Sequence, residues 1–180
     1  MHIRDYINAD WEAVREIYNL SKPDELKGSV DLRALIPLEK DRRNLRLFRQ
    51  SRIMVVEKDS VLVGFGGYYD NTIHWLFVHP HHRRKGAARL ILKHIVDQLT
   101  GTIKLNVFKN NRVARTLYQK FGFVKEREFL GNYNGYQSRA MTLHLEKSDQ
   151  WASGRSLPEK MKGGPNPEIR PASLPLIQTL

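Results

Sequence analysis

The stretch Val78 to Leu90, VHPHHRRKGAARL, leaves the backbone few courses. Thr72 to Val78 before it reads as a strand, Pro80 ends that strand, and Ala88, Ile91, Leu92, Ile95 and Leu99 then recur at helical spacing. A strand must therefore pass through a cationic loop into an amphipathic helix whose first residues are small. Unpaired N–H groups at such a helix start, its partial positive dipole, and Gly86, Ala87 and Ala88 permitting close approach together make a cradle for an anion such as phosphate. Arg83, Arg84, Lys85 and Arg89 surround it with charge. The plain alternative is a solvated helix start with basic residues on it.

The rest of the chain alternates in the same manner. A short strand near His2 to Arg4 precedes a helix for which Asp10 is the expected N-cap and Trp11, Val14, Ile17 and Tyr18 the buried stripe. Residues 22 to 51 read as two short helices, with Pro23 and Pro37 each suited to a helix start. Ile53–Glu57 and Val61–Tyr69 form a hairpin across Lys58-Asp59-Ser60. Ile103, Leu105 and Val107 make a strand; Val113, Ala114, Leu117, Tyr118 and Phe121 return to helical spacing before Gly122. Two last strands, near Phe123–Leu130 and Gln137–Glu146, flank Asn134-Gly135, a pair that accepts the positive φ values of a tight hairpin turn. The total is an α+β domain spanning 1–147.

Beyond it, 148–180 holds five of the eight prolines and the Gly163-Gly164 pair, and reads as an extended or loosely packed tail. Trp151 and the apolar end Leu174, Leu176, Ile177 and Leu180 offer it a means of docking.

Composition narrows the functional classes. The chain has 180 residues, 41% of them hydrophobic, enough for one packed core and no bias toward disorder. It has no cysteine, so disulfides, thiolate zinc sites and cysteine nucleophiles are excluded, and a reducing compartment is allowed. The N-terminal residues do not read as a secretory signal and no apolar run reaches a membrane span, so a cytoplasmic protein without a membrane anchor is expected. Lys and Arg number 30 against 19 Asp and Glu, a formal charge of +11, which suits an anionic partner: nucleic acid, a membrane surface or a phosphorylated small molecule.

A second stretch, Asn110 to Phe123, NNRVARTLYQKFGF, carries a further pattern. Asn111 and Tyr118 fall within about 20° of one helix face, with Ala114 between them leaving room for something slender. An amide and a phenol can thus meet the same elongated ligand, or Tyr118 can be a core aromatic whose hydroxyl reaches the surface.

Together the two stretches resemble the GNAT superfamily, the general-control-related N-acetyltransferases. Arg83, Gly86 and Ala88 match the family's R/Q-x-x-G-x-G/A signature; Asn111, Ala114, Tyr118, Gly122 and Phe123 look like its N-x-x-A-x-x-x-Y-x-x-x-G-F segment. The resemblance covers residues 1 to about 147. It implies a mixed, largely antiparallel central sheet flanked by helices on both faces. It also implies acetyl-CoA as cosubstrate and no metal, with Arg83, Arg84, Lys85, Gly86, Ala87 and Ala88 cradling the pyrophosphate. The main chain of Leu76, Phe77 and Val78 would run beside the pantetheine arm, Asn111 and Ala114 beside the cofactor, and Tyr118 near the sulfur as general acid for the departing thiolate.

The implied acceptor, a primary amine on a small molecule, peptide or protein, is almost wholly protonated at pH 7 when its pKa is about 10.4. A base is therefore required. Where the family places a glutamate this chain has Thr72, and His74, two residues on along the same strand face before any bulge, is the expected base, directly or through water. By analogy, residues 22 to 51 and Leu130 to Tyr136 border the acceptor cleft. Asp24, Glu25 and Asp70 are candidates to attract a cationic amine, and Tyr133 and Tyr136 to line an apolar slot. His79, His81 and His82 lack the spacing of a zinc site. Arg42, Arg43, Arg46, Arg49 and Arg52, with Lys40, form a basic run read as a solvated helical face, a guide for an acidic substrate, or an RNA contact. An N-acetyltransferase is the leading expectation; a basic module of the same fold that binds nucleic acid with little catalysis is the alternative. Monomer and homodimer both remain open.

Overall fold

The computed structural model describes residues 1–147; the expected tail, 148–180, lies outside the described residues. Seven strands, β1 (His2–Asp5), β2 (Arg52–Lys58), β3 (Val61–Tyr69), β4 (Thr72–Val78), β5 (Gly101–Phe108), β6 (Val124–Tyr133) and β7 (Tyr136–Lys147), form one sheet in the order β1-β2-β3-β4-β5-β7-β6. Every neighbouring pair is antiparallel except β4 and β5, which run parallel. Helices α1 (Trp11–Leu26) and α2 (Arg42–Gln50) pack on one face, α3 (Ala87–Gln98) and α4 (Arg112–Lys120) on the other. This is the mixed, mostly antiparallel sheet with helices on both faces that the family resemblance implies. Among the described residues no helix is long and apolar enough to cross a membrane.

Strand β4 is apolar nearly throughout because both its faces are covered. Leu76 and Val78 join Ile91, Leu92 and Ile95 of α3, whereas Trp75 and Phe77 join Val14, Ile17 and Tyr18 of α1. On the α1 side the packing is aromatic: Phe65 stacks on Phe77 at 5.3 Å, and Phe48 meets Trp75 edge-on at 5.5 Å. On the α3 side a Cβ at Gly66 would lie 2.2 Å from Ile91 Cγ2, so the missing side chain sets how closely α3 approaches the sheet.

Several local expectations are corrected. Pro23 does not start a helix; it lies inside α1, near its end, where it gives up one intrahelical bond. Asp10 stands at the N-cap of α1, but its carboxylate binds Arg4 at 2.7 Å and the Ile7 N–H at 2.9 Å instead of capping the helix. Trp11 is only half-buried. Pro37 precedes only a 3-10 turn, Leu38–Lys40; Asp41 accepts from the Asn44 N–H at 3.0 Å, so α2 starts at Arg42. The Asn134-Gly135 turn has φ of 49° and 90°, as its residue types require.

Candidate active site

The parallel pair β4 and β5 is bridged only at Thr72–Lys104 and Ile73–Leu105, whereas β5 pairs with β7 from Gly101–Lys147 to Phe108–Ala140. Residues 75 to 78 therefore diverge from β5 and leave a wedge open in the middle of the sheet. Beside this wedge β4 leads into the cationic loop. Arg84 and Gly86 both take positive φ, 61° and 94°, and Gly86 is the N-cap of α3 with no side-chain cap. The first N–H groups of α3 therefore have no side-chain acceptor at the cap. Nothing lies within 4 Å of where a Gly86 Cβ would be, so the space above that turn is open.

A groove of about 560 Å³ runs from this turn between α3 and α4. Val78, Val113 and Leu117 supply an apolar wall; Arg84, Arg89 and Lys120 supply a cationic rim. An apolar wall ending at exposed cations and a helix N-terminus fits a long thiol cofactor whose far end carries phosphates. Lys120 was missed in the sequence because its place at the rim depends on how α4 packs beside α3. Two expected cradle side chains also have partners within the protein. Arg83 donates to the Asp24 carboxylate at 2.5 Å and to the Val78 carbonyl at 3.3 Å, tying the end of β4 to α1. Lys85 donates to the His81 carbonyl at 3.2 Å. The backbone of this loop, with Arg83, Arg84 and Arg89, lines the groove.

Leu76 and Phe77 are fully buried and Val78 nearly so, with their main chain at the wedge. The Val78 carbonyl also accepts from Ser21 Oγ at 3.0 Å. Asn111 caps α4 by accepting from the Ala114 N–H at 3.1 Å, so its side-chain oxygen has a structural task that spacing alone does not disclose. Ala114 and Tyr118 are buried on the α3 side of the sheet, with the Tyr118 ring edge-on to Phe123 at 5.8 Å. Burial, followed by the Glu25 carboxylate, pushes the Tyr118 hydroxyl well above the ordinary phenol range, so it stays protonated.

His74 lies in a β-bulge: Tyr68 pairs with Ile73 and Gly67 with Trp75, leaving His74 without a partner across the strand. The face alternation expected along β4 is thus interrupted at this residue. His74 is 5% exposed, and burial, partly offset by Asp70, lowers its imidazole to about 4. It is accordingly neutral at physiological pH.

The acidic candidates divide. Asp70 is exposed at the β3–β4 turn, Asp24 is paired with Arg83, and Glu25 is buried against Lys22 at 2.6 Å, with side chains 0% and 1% exposed. The Lys22 ammonium sits 5.5, 5.7 and 5.1 Å from the rings of Tyr18, Phe77 and Tyr133. Burial pulls its pKa down, but Glu25 and the two tyrosine hydroxyls outweigh that and the net shift is upward. Residues 22–51 and 130–136 do converge here: Asn134 donates to the Ala34 carbonyl at 2.9 Å, and Tyr133 packs with Leu26, Ala34 and Phe108. The pattern of charges at residues 22 and 25 did not reveal that this pair is internal. His79 Nδ1 accepts from the His81 N–H at 3.3 Å, and no cluster of metal-ligating side chains occurs among the described residues.

Residues 11–123 match the acetyltransferase (GNAT) family model, and the chain belongs to that family. It is 37% identical over 90 residues to the human cysteine-rich protein 2-binding protein, and equally to that of the mouse. This stretch is 46% of the chain but 11% of those proteins, so the chain spans about a tenth of the curated relatives it matches. Among solved structures it resembles a GCN5-related N-acetyltransferase from Rhodopseudomonas palustris, with a TM-score of 0.69 at 16% identity over 81% of this chain and 94% of the other. The putative acetyltransferase yncA of Salmonella typhimurium, solved with acetyl-CoA, gives 0.64 at 20% identity over 89% and 99%. The ribosomal-protein-S18-alanine N-acetyltransferase of Escherichia coli gives 0.62 at 18% over 88% and 99%. At these identities the likeness is one of fold.

Proposed function

We propose that the chain transfers the acetyl group of acetyl-CoA to a primary amine by direct attack. The observation that carries this reading is the wedge between β4 and β5 opening beside an uncapped helix N-terminus, with Tyr118 buried in the same apolar cluster as Leu76 and Val78. The backbone of the loop from Arg83 to Ala88, with Arg84 and Arg89, holds the phosphates. Leu76, Phe77 and Val78 line the thioester arm with main chain, and an N–H there stabilises the charge that develops on the thioester oxygen. Asn111 and Ala114 shape the start of α4 beside the cofactor. His74 is the proposed acceptor of the amine's proton, directly or through water. The amine nitrogen then bonds to the acetyl carbon, the carbon–sulfur bond breaks, Tyr118 donates its proton to the departing sulfur, and the second proton released by the nitrogen restores the phenol.

The test is a panel of amines assayed with acetyl-CoA for thiol release and a product heavier by one acetyl group. Tyr118→Phe should lower kcat about 100-fold or more while leaving acetyl-CoA affinity within a few-fold. An unchanged kcat in that variant would remove Tyr118 from the chemistry.

A further inference from the structure

The basic helix α2 is not used by the groove, because it packs on the opposite face of the sheet from α3 and α4. Its sequence, RRNLRLFRQ, contains no acidic residue. Arg42, Arg46 and Arg49 are exposed and fall within about 60° of one helix side. Among the described residues, none of the three has a carboxylate within ion-pair distance, and the nearby acids are engaged elsewhere. Asp41 caps α2, and Glu39 faces Arg15 and Asn19. Next to this ridge, and sharing Arg49 with it, lies an open pocket of about 670 Å³ with Tyr6, Trp11 and Phe48 in its walls and Arg52 at its edge. Tyr6 and Trp11 are half-buried and stand edge-on to Phe48 at 5.3 and 5.8 Å, which holds both rings against a rigid aromatic floor. Among the described residues Asp5, beside Arg52 at 3.6 Å, is the one acidic side chain lining the pocket.

We infer that this face binds single-stranded nucleic acid, with phosphates along Arg42, Arg46 and Arg49 and a base in the pocket against Trp11 and Tyr6. A row of guanidiniums alone would suit any polyanion. A row running into a concave aromatic pocket of nucleotide size suits a polyanion with flat apolar groups at intervals, the chemistry of an unpaired strand. A duplex conceals those groups, and an anionic bilayer has no planar group to insert.

The probe is a fluorescein-labelled 12-nucleotide oligo(U), chosen because uridines stack weakly on one another, measured by anisotropy with the full chain at 50 and 200 mM salt. Binding should weaken steeply with salt, and replacing Arg42, Arg46 and Arg49 by Gln should flatten the log–log slope by about two. Trp11→Leu should weaken oligo(U) about ten-fold yet leave heparin binding unchanged, since only the former stacks. A control triple on the opposite sheet edge, Lys125, Arg127 and Arg139 to Gln, removes the same charge and should leave the affinity within about two-fold. Thermal melts identify any variant that fails to fold, and Arg46→Glu, an exposed single change, serves in place of one that does. No measurable binding at 50 mM salt, equal losses in the two triples, an unaltered affinity in folded Trp11→Leu, or tighter binding to phosphatidylserine vesicles than to oligo(U) would each overturn the inference.

Discussion

At the scale of single residues, the Lys22–Glu25 pair shows how a charge becomes a structural part. Both side chains are removed from water, so each depends on the other and on the rings of Tyr18, Phe77 and Tyr133 around the ammonium. Removing one partner leaves the other uncompensated: Glu25→Gln or Lys22→Met should each cost about 3–5 kcal/mol in urea unfolding. The double change Lys22→Met with Glu25→Leu should recover much of that loss. His74 gives a prediction in pH. Its folded pKa of about 4 lies below its ordinary 6.5, so the unfolded chain binds the extra proton between those values. The contribution of His74 to stability is full above about pH 6.5 and is lost as pH falls toward 4. His74→Gln should therefore show a shallower loss of stability across that window in urea titrations at fixed pH. If His74 is also the base, the same variant should lose the acid limb of its kcat/KM profile.

At the scale of elements, the turn into α3 and the close contact beneath it carry the site. Gly86→Ala places a Cβ on a backbone at φ of 94° and should destabilise by about 1–2 kcal/mol while weakening acetyl-CoA binding. Gly66→Ala strikes Ile91 instead, and should cost about 1–3 kcal/mol through overpacking, measured by thermal unfolding. The elements were legible where periodicity and turn chemistry agree. The α3 stripe Ile91, Leu92 and Ile95, the strand at Ile103, Leu105 and Val107, and Asn134-Gly135 all stand as read. Residues 22–51 were not legible, because their conformation follows from tertiary partners. Pro23 is tolerated late in α1, Asp41 divides a charged run by capping α2, and Asn134 and Asn110 tie down the Ala34 and Gly28 carbonyls. The same holds within the site. Gly86 and Ala88 were visible from motif spacing. By contrast, the bulge at His74, the turning of Arg83 toward Asp24 and the arrival of Lys120 at the rim depend on packing between distant segments.

At the scale of the whole molecule, the described residues carry cations on both faces of the sheet. Arg84, Arg89 and Lys120 rim the groove on the α3 side, and Arg42, Arg46 and Arg49 line α2 on the other. Binding at the two should be separable: the α2 triple substitution should leave acetyl-CoA affinity within about two-fold, measured by calorimetry. The measurement that bears most directly on the proposed function is thermal unfolding of the full chain with and without acetyl-CoA, with coenzyme A and its dephosphorylated form alongside. At about 100 times its dissociation constant, acetyl-CoA should stabilise the fold by about 2.7 kcal/mol, a rise of about 5–10 °C that saturates and is smaller for the dephosphorylated compound. An unmoved melting temperature at millimolar acetyl-CoA would contradict the assignment of the α3–α4 groove as the cofactor site.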